Sequence, residues 1–229
     1  MARQLTFDLA GPPASSRADF LVTSANRDAL DLLDRPELWP QGRLLLIGGP
    51  GAGKTHVARF WAAENGALRQ SAHALRADMA DHLVHTDGAL VIEDAHRIGA
   101  AAGAEQAMFH IWNLAAERGC LLLLTARTPP RDWGMVLPDL RSRMMALTVA
   151  ELGPPDDALL PAVLVKLFAD RGIPVAPDVI EFLTRRMERD LGLARRLVLA
   201  IDQAALSDHR PVTRRLASEW LDKLLEQDA

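Results

Sequence analysis

Residues 43–55 read Arg43-Leu44-Leu45-Leu46-Ile47-Gly48-Gly49-Pro50-Gly51-Ala52-Gly53-Lys54-Thr55. An apolar run enters a glycine loop. Lys54 to Glu64 then continues with helical spacing, placing Val57, Phe60 and Trp61 on one face. Residues 48–55 fit G-x-x-x-x-G-K-[ST] at every fixed position, and they lie between a predicted strand and a predicted helix, the context that motif requires. Glycines let the backbone turn tightly and bring its N–H groups close to phosphate oxygens. The helix N-terminus adds partial positive charge. In such a loop the lysine, here Lys54, reaches the β and γ phosphates, and the hydroxyl of Thr55 ligates Mg²⁺. The expected ligand is ADP or ATP with Mg²⁺. Its cradle is Gly48, Pro50, Gly51, Ala52, Gly53, Lys54 and Thr55.

Outward from this loop, Ala89-Leu90-Val91-Ile92 and Leu121-Leu122-Leu123-Leu124-Thr125 read as further buried strands, and Met145 to Val149 as a fourth. Residues 67–71 carry a weaker strand signal. Glu105 to Arg118 reads as a helix stopped by Gly119. Continuous apolar strands separated by helices imply an α/β unit with a parallel sheet covered on both faces. Gly153-Pro154-Pro155 breaks the pattern. Beyond it only helical spacing appears, over 159–170, 177–188, 191–206 and 213–225. The expected organisation is an N-terminal peptide and linker over 1–16, a nucleotide-binding core over 17–153, and a small all-helical lid over 154–229.

A P-loop site also needs acidic residues at the end of a neighbouring strand, and Glu93-Asp94 follows Leu90-Val91-Ile92. One carboxylate holds Mg²⁺ through water, and the next polarises the attacking water. An Asp usually takes the first place. Here Glu93 stands there, one methylene longer, which favours nucleotide binding over efficient hydrolysis. Thr125 ends the third strand, where a polar side chain faces the ligand crevice and can meet a γ-phosphate or the attacking water. A strand cap is the plainer role for it.

The chain has 229 residues, 49% hydrophobic and 24% charged, so it has ample material for a buried core. Its formal net charge is −4. Strong direct DNA binding through charge is therefore not expected, because that requires a basic surface. Arginine is the default cation, with 23 Arg against 3 Lys. The single cysteine, Cys120, leaves no internal disulfide and fits a reducing, cytoplasmic setting. No apolar run approaches the roughly 18 residues of a membrane span. His82, His85 and His96 lack the companions of a zinc site and read as polar histidines.

These residues resemble an AAA+ ATPase of the DnaA type. His56 follows the P-loop as in the Gly-Lys-Thr-His run of that group. The segment Phe20-Leu21-Val22 with Ser24-Ala25-Asn26 is similar to its adenine-side entry, which makes Asn26 a nucleotide-side residue. Leu137-Pro138-Asp139-Leu140-Arg141-Ser142-Arg143 resembles the arginine-finger segment. The resemblance makes Arg143 the finger, with Arg141 as fallback. Ala194-Arg195-Arg196-Leu197 resembles the start of the third lid helix, where Arg195 matches the family's nucleotide-sensing arginine. The resemblance covers roughly residues 18–226.

DnaA initiators continue into a helix-turn-helix domain, for which this sequence leaves no residues. It begins instead with Gln4-Leu5-Thr6-Phe7-Asp8-Leu9, similar to the Gln-Leu-x-Leu-x-Leu peptide that docks on the β sliding clamp. In such a peptide Gln4 anchors, while Leu5, Phe7 and Leu9 fill apolar pockets. The combination resembles the Hda-type regulatory inactivators of DnaA. The resemblance implies a clamp-docked protein that stimulates ATP hydrolysis by the DnaA initiator, with Arg143 supplied in trans and weak hydrolysis of its own. Three other readings stay open: an AAA+ helicase-loader acting on DNA or a helicase, a P-loop kinase of a small molecule, and an adaptor with a vestigial nucleotide site. A homodimer shielding Arg143 or the docking peptide is also open.

Overall fold

The computed structural model describes residues 16–154, 158–188, 190–208 and 211–228. The expected docking peptide, with Gln4, Leu5, Phe7 and Leu9, lies outside the described residues. Five strands form one parallel sheet: β1 (Arg43–Gly48), β2 (Leu68–Ser71), β3 (Ala89–Glu93), β4 (Leu121–Ala126) and β5 (Thr148–Leu152). Their spatial order is β2-β3-β4-β1-β5. The central strand β1 pairs with β4 on one side and β5 on the other.

Alternation along the strands divides the core between the two faces. Leu44 and Leu46 point to one face, where they meet Val57, Phe60 and Trp61 of α2 (Lys54–Glu64) and Leu30 and Leu33 of α1 (Arg27–Leu33). Leu45, Ile92 and Leu124 point to the other, against Met108 and Ile111 of α4 (Ala104–Glu117), which follows the short α3 (Ala80–Leu83). Each fully buried leucine contributes roughly 1.5–3 kcal/mol relative to exposure, which is why the strands read as unbroken apolar runs.

The expected fourth strand is displaced. Met145 closes α5 (Pro138–Met145) and is 53% exposed, and the strand occupies Thr148–Leu152 instead. Pro138 sits at the helix start, where its missing N–H costs nothing. The helix then runs through the methionines. On the edge strand β5 only alternate residues are buried, Ala150 and Leu152.

After β5 come α6 (Leu159–Ala169), α7 (Pro177–Arg186), α8 (Leu191–Asp208) and α9 (Arg214–Asp228). These helices pack on a cluster of their own that includes Leu164, Phe168, Leu183, Leu197 and Leu221. Among the described residues, no helix is long and apolar enough to cross a membrane.

Candidate functional site

The carboxyl ends of β1, β3 and β4 bring Gly48, Glu93 and Thr125 to one edge of the sheet. The loop after β1 turns through left-handed glycines, Gly51 at φ +70° and Gly53 at φ +96°. Gly53 is the N-cap of α2 and no side chain caps that helix. Its first-turn amides are left to other partners, as at anion-binding helix starts. Lys54 is buried, and its Nζ donates to the carbonyls of Gly48 at 2.6 Å and Gly49 at 2.7 Å. Burial pushes the Lys54 ammonium below its ordinary value, and Arg127 pushes it the same way. These features fit the phosphates of a nucleotide: a backbone cradle, a helix N-terminus and one held cation.

The acidic pair is split. The Arg69 side chain donates through Nε and Nη2 to Oε1 of Glu93, the Nε bond measuring 3.0 Å. Arg69 belongs to β2, two residues away from the direct cross-strand partner of Glu93, Ser71. Asp94 adopts the left-handed conformation, φ 56° and ψ 41°, which turns the chain sharply after β3. Its backbone N–H donates to Thr125 Oγ1 at 3.3 Å. Thr125 is 3% exposed, so its hydroxyl serves first as a clamp between β3 and β4. As acceptor in that bond the hydroxyl keeps its own O–H free to donate, so the strand-cap and γ-phosphate roles are compatible.

Asn26 and His56 anchor the chain before α1. Asn26 is buried; its Oδ1 accepts from the Thr23 N–H at 2.8 Å and its Nδ2 donates to Leu21 O at 2.9 Å. Both ends of the amide thus shape the entry loop. His56 is also buried, edge-on to Phe20 at 5.4 Å between ring centroids. Arg195 Nη2 donates to His56 Nδ1, so Nε2 carries the proton and donates to Ser16 O at 3.2 Å. Burial and the Arg195 charge hold the His56 imidazole below its ordinary pKa. Arg195 therefore joins α8 to α2 through His56.

Arg143 stands elsewhere. It shares a cavity with Arg43, at the opposite end of β1 from the P-loop. Five residue steps of a strand put about 17 Å between those ends. Arg143 Nη1 donates to Asn113 Oδ1, and its guanidinium lies 4.6 Å from the centre of the Phe109 ring. Arg141 lines a separate hollow with Val136 and Met145. The fold brings Gly48–Thr55, Glu93, Asp94 and Thr125 together and keeps both finger candidates away from them.

Several residues escaped the sequence reading. Arg69 holds Glu93. Glu105, 6% exposed, accepts the N–H groups of Val136 at 3.0 Å and Leu137 at 2.6 Å and so sets the start of α5. Asp190 lies against the P-loop: a methyl group on Gly51 would come within 2.3 Å of its Oδ1. That oxygen also accepts from Gly192 N–H at 2.6 Å and Leu193 N–H at 3.1 Å, capping α8. An Asp just before an apolar-periodic segment is a legible N-cap signal, so Asp190 could have been found. Its contact with Gly51 could not.

No family model matches the chain. Over 224 residues it is 28% identical to the chromosomal replication initiator protein DnaA of Thermomicrobium roseum, covering 86% of this chain and 46% of that protein. The chain spans about half the length of the curated relatives it matches. Domain III of the Thermotoga maritima replication initiation protein DnaA matches with a TM-score of 0.78 at 19% identity, over 93% of this chain and 97% of that one. AMPPCP-bound DnaA from Aquifex aeolicus matches at 0.69 and 17% identity, over 86% and 67% of the two chains. The fold is an AAA+ P-loop core followed by helices, and the sequence is DnaA-like across it.

Proposed function

We propose that this protein is a nucleotide-binding regulator of replication initiation. It docks on the sliding clamp through Gln4, Leu5, Phe7 and Leu9, and it stimulates ATP hydrolysis by a DnaA-type initiator through Arg143. Residues 17–153 act as the nucleotide core and 154–229 as its lid. The observation that carries this reading is the division of labour across the sheet. An intact P-loop sits at one end of β1, and a guanidinium held by Asn113 and Phe109 sits near the other.

The loop amides and Lys54 would hold the phosphates of ADP or ATP, with Thr55 and Glu93 facing Mg²⁺. That ion would neutralise phosphate charge when bound. Glu93 is engaged by Arg69, and the hydroxyl of Thr125 is engaged by Asp94. The first contact restrains the Glu93 carboxylate, which favours nucleotide as a conformational ligand over rapid turnover. Arg195 and His56 would relay the state of the loop to the lid, since they join α8 to the helix that begins at Lys54. Arg143, about a strand length from its own P-loop, would serve a neighbour's phosphoryl group in trans.

Clamp binding and intrinsic hydrolysis test this reading. The Leu5→Ala, Phe7→Ala double variant should lose affinity for the sliding clamp while keeping nucleotide. Rapid ATP turnover by the isolated protein, abolished by Asp94→Asn, would instead mark an autonomous ATPase.

A further inference from the structure

Away from the P-loop, the start of β1 borders a cavity of about 390 Å³ between α4, α5 and the turn at residues 40–42. Two arginines line it, Arg43 and Arg143, together with Gln41, Trp112, Asn113 and Thr148. Among the described residues, no carboxylate lines it.

Arg43 is 2% exposed. Its guanidinium lies 3.9 Å from the centre of the Trp112 ring and donates to Gln41 Oε1 and, at 2.7 Å, to Trp112 O. Its Nε is buried and has no hydrogen-bond partner among the described residues. A buried cation without an anion costs free energy, and here a second cation adds to the cost. Burial and the Arg143 charge together push Arg43 down to about 10. Gln41 holds its place at φ 57°, a conformation non-glycine residues rarely adopt and one that clusters at ligand clamps. Two guanidiniums and a residue in left-handed backbone meet at one small cavity.

We propose that this cavity is a second ligand site, which binds a phosphate-class oxyanion between Arg143 and Arg43. Two guanidiniums match the charge and the several acceptor oxygens of phosphate better than they match a neutral solute. The Asn113 amide and the Thr148 hydroxyl supply neutral hydrogen-bonding groups, and Trp112 forms a wall. The ligand is either free orthophosphate or the phosphate of a small nucleotide. The site needs no partner protein and stands apart from any role of Arg143 in trans.

The test uses the full chain carrying Lys54→Ala, which disables the P-loop as a competing phosphate site. Sodium phosphate, AMP and sodium chloride at matched ionic strength are titrated, with tryptophan fluorescence and calorimetry as readouts. Saturable binding of phosphate or AMP, but not chloride, is expected. Arg143→Ala, a surface change whose folding is checked by circular dichroism, should weaken that binding about tenfold or more. Trp112→Phe should reduce the fluorescence change while calorimetric binding persists. Tighter binding of AMP than of phosphate would assign the site to a nucleotide, and the reverse to the free anion. Absence of saturable binding by either ligand, or an affinity unchanged by Arg143→Ala, would overturn the proposal.

Discussion

Gly49 and Gly51 lie two residues apart in one loop, yet alanine should act oppositely at them. A methyl group on Gly49 meets nothing within 4 Å. Gly49→Ala should therefore be neutral or stabilise by up to about 1 kcal/mol, because alanine restricts the unfolded chain more than glycine does. Gly51 has φ +70°, where an L side chain costs about 1–2 kcal/mol. Its methyl group would also fall 2.3 Å from Asp190 Oδ1 and 2.8 Å from Asp190 Cα. The second contact is backbone, so a rotamer change at Asp190 cannot relieve it. The start of α8 must shift, and losing its cap costs about another 1 kcal/mol. The sum, roughly 2–3 kcal/mol, corresponds to a fall in Tm of about 4–12 °C for a chain of this size. Thermal unfolding without nucleotide, followed by far-UV circular dichroism, measures both variants. Equal shifts for Gly49→Ala and Gly51→Ala would refute the contact between Asp190 and the loop.

Acidification should destabilise the fold through two histidines, the buried His56 and the half-buried His96. His56 and His96 both lie below their ordinary 6.5, in each case through burial first. The unfolded chain then takes up protons before the folded one does, so stability is full above about pH 6.5 and falls as pH drops through and below that value. Tm measured from pH 7.5 to 5.5 should decline, and the decline should flatten in His56→Gln. Asp19 acts in a lower window: its hydrogen bond with Ser16 and its pair with Lys166 hold it below 3.8, so that contribution persists until pH falls past that range. Arg69→Ala should free Glu93 and raise intrinsic ATP hydrolysis several-fold in a steady-state phosphate-release assay. Unchanged turnover would mean that Arg69 is not what restrains the site.

The P-loop and the strands around it were legible because the physics is local. Leu44, Leu45 and Leu46 are buried whichever face they point to, so β1 reads as an apolar run ending in glycines. The ends of α2 and α4 followed from spacing and from Gly119. Edge strands were harder. In β5, Val149 and Glu151 are exposed, so no run exists there, and the methionines of α5 mimicked one nearby. The order β2-β3-β4-β1-β5 rests on pairings between distant segments, which no local pattern encodes.

The site divides in the same way. Lys54, Glu93, Asp94 and Thr125 were named by motif and strand end. Their partners come from across the sheet or from far along the chain: Arg69 for Glu93, and Arg195 for His56, 139 positions away. Thr125 and Asn26 are likewise buried polar residues whose partners lie on the backbone. Buried polar atoms find partners, and these two found the backbone.

The central claim is that Arg143 acts on a neighbour's nucleotide. ATP hydrolysis by a DnaA-type initiator, measured with this protein, nucleotide and DNA-loaded clamp, tests it most directly. The account predicts that Arg143→Ala binds nucleotide at the P-loop and the clamp normally yet loses stimulation by about 10³-fold, the low end for an arginine finger. Stimulation retained by Arg143→Ala would contradict it.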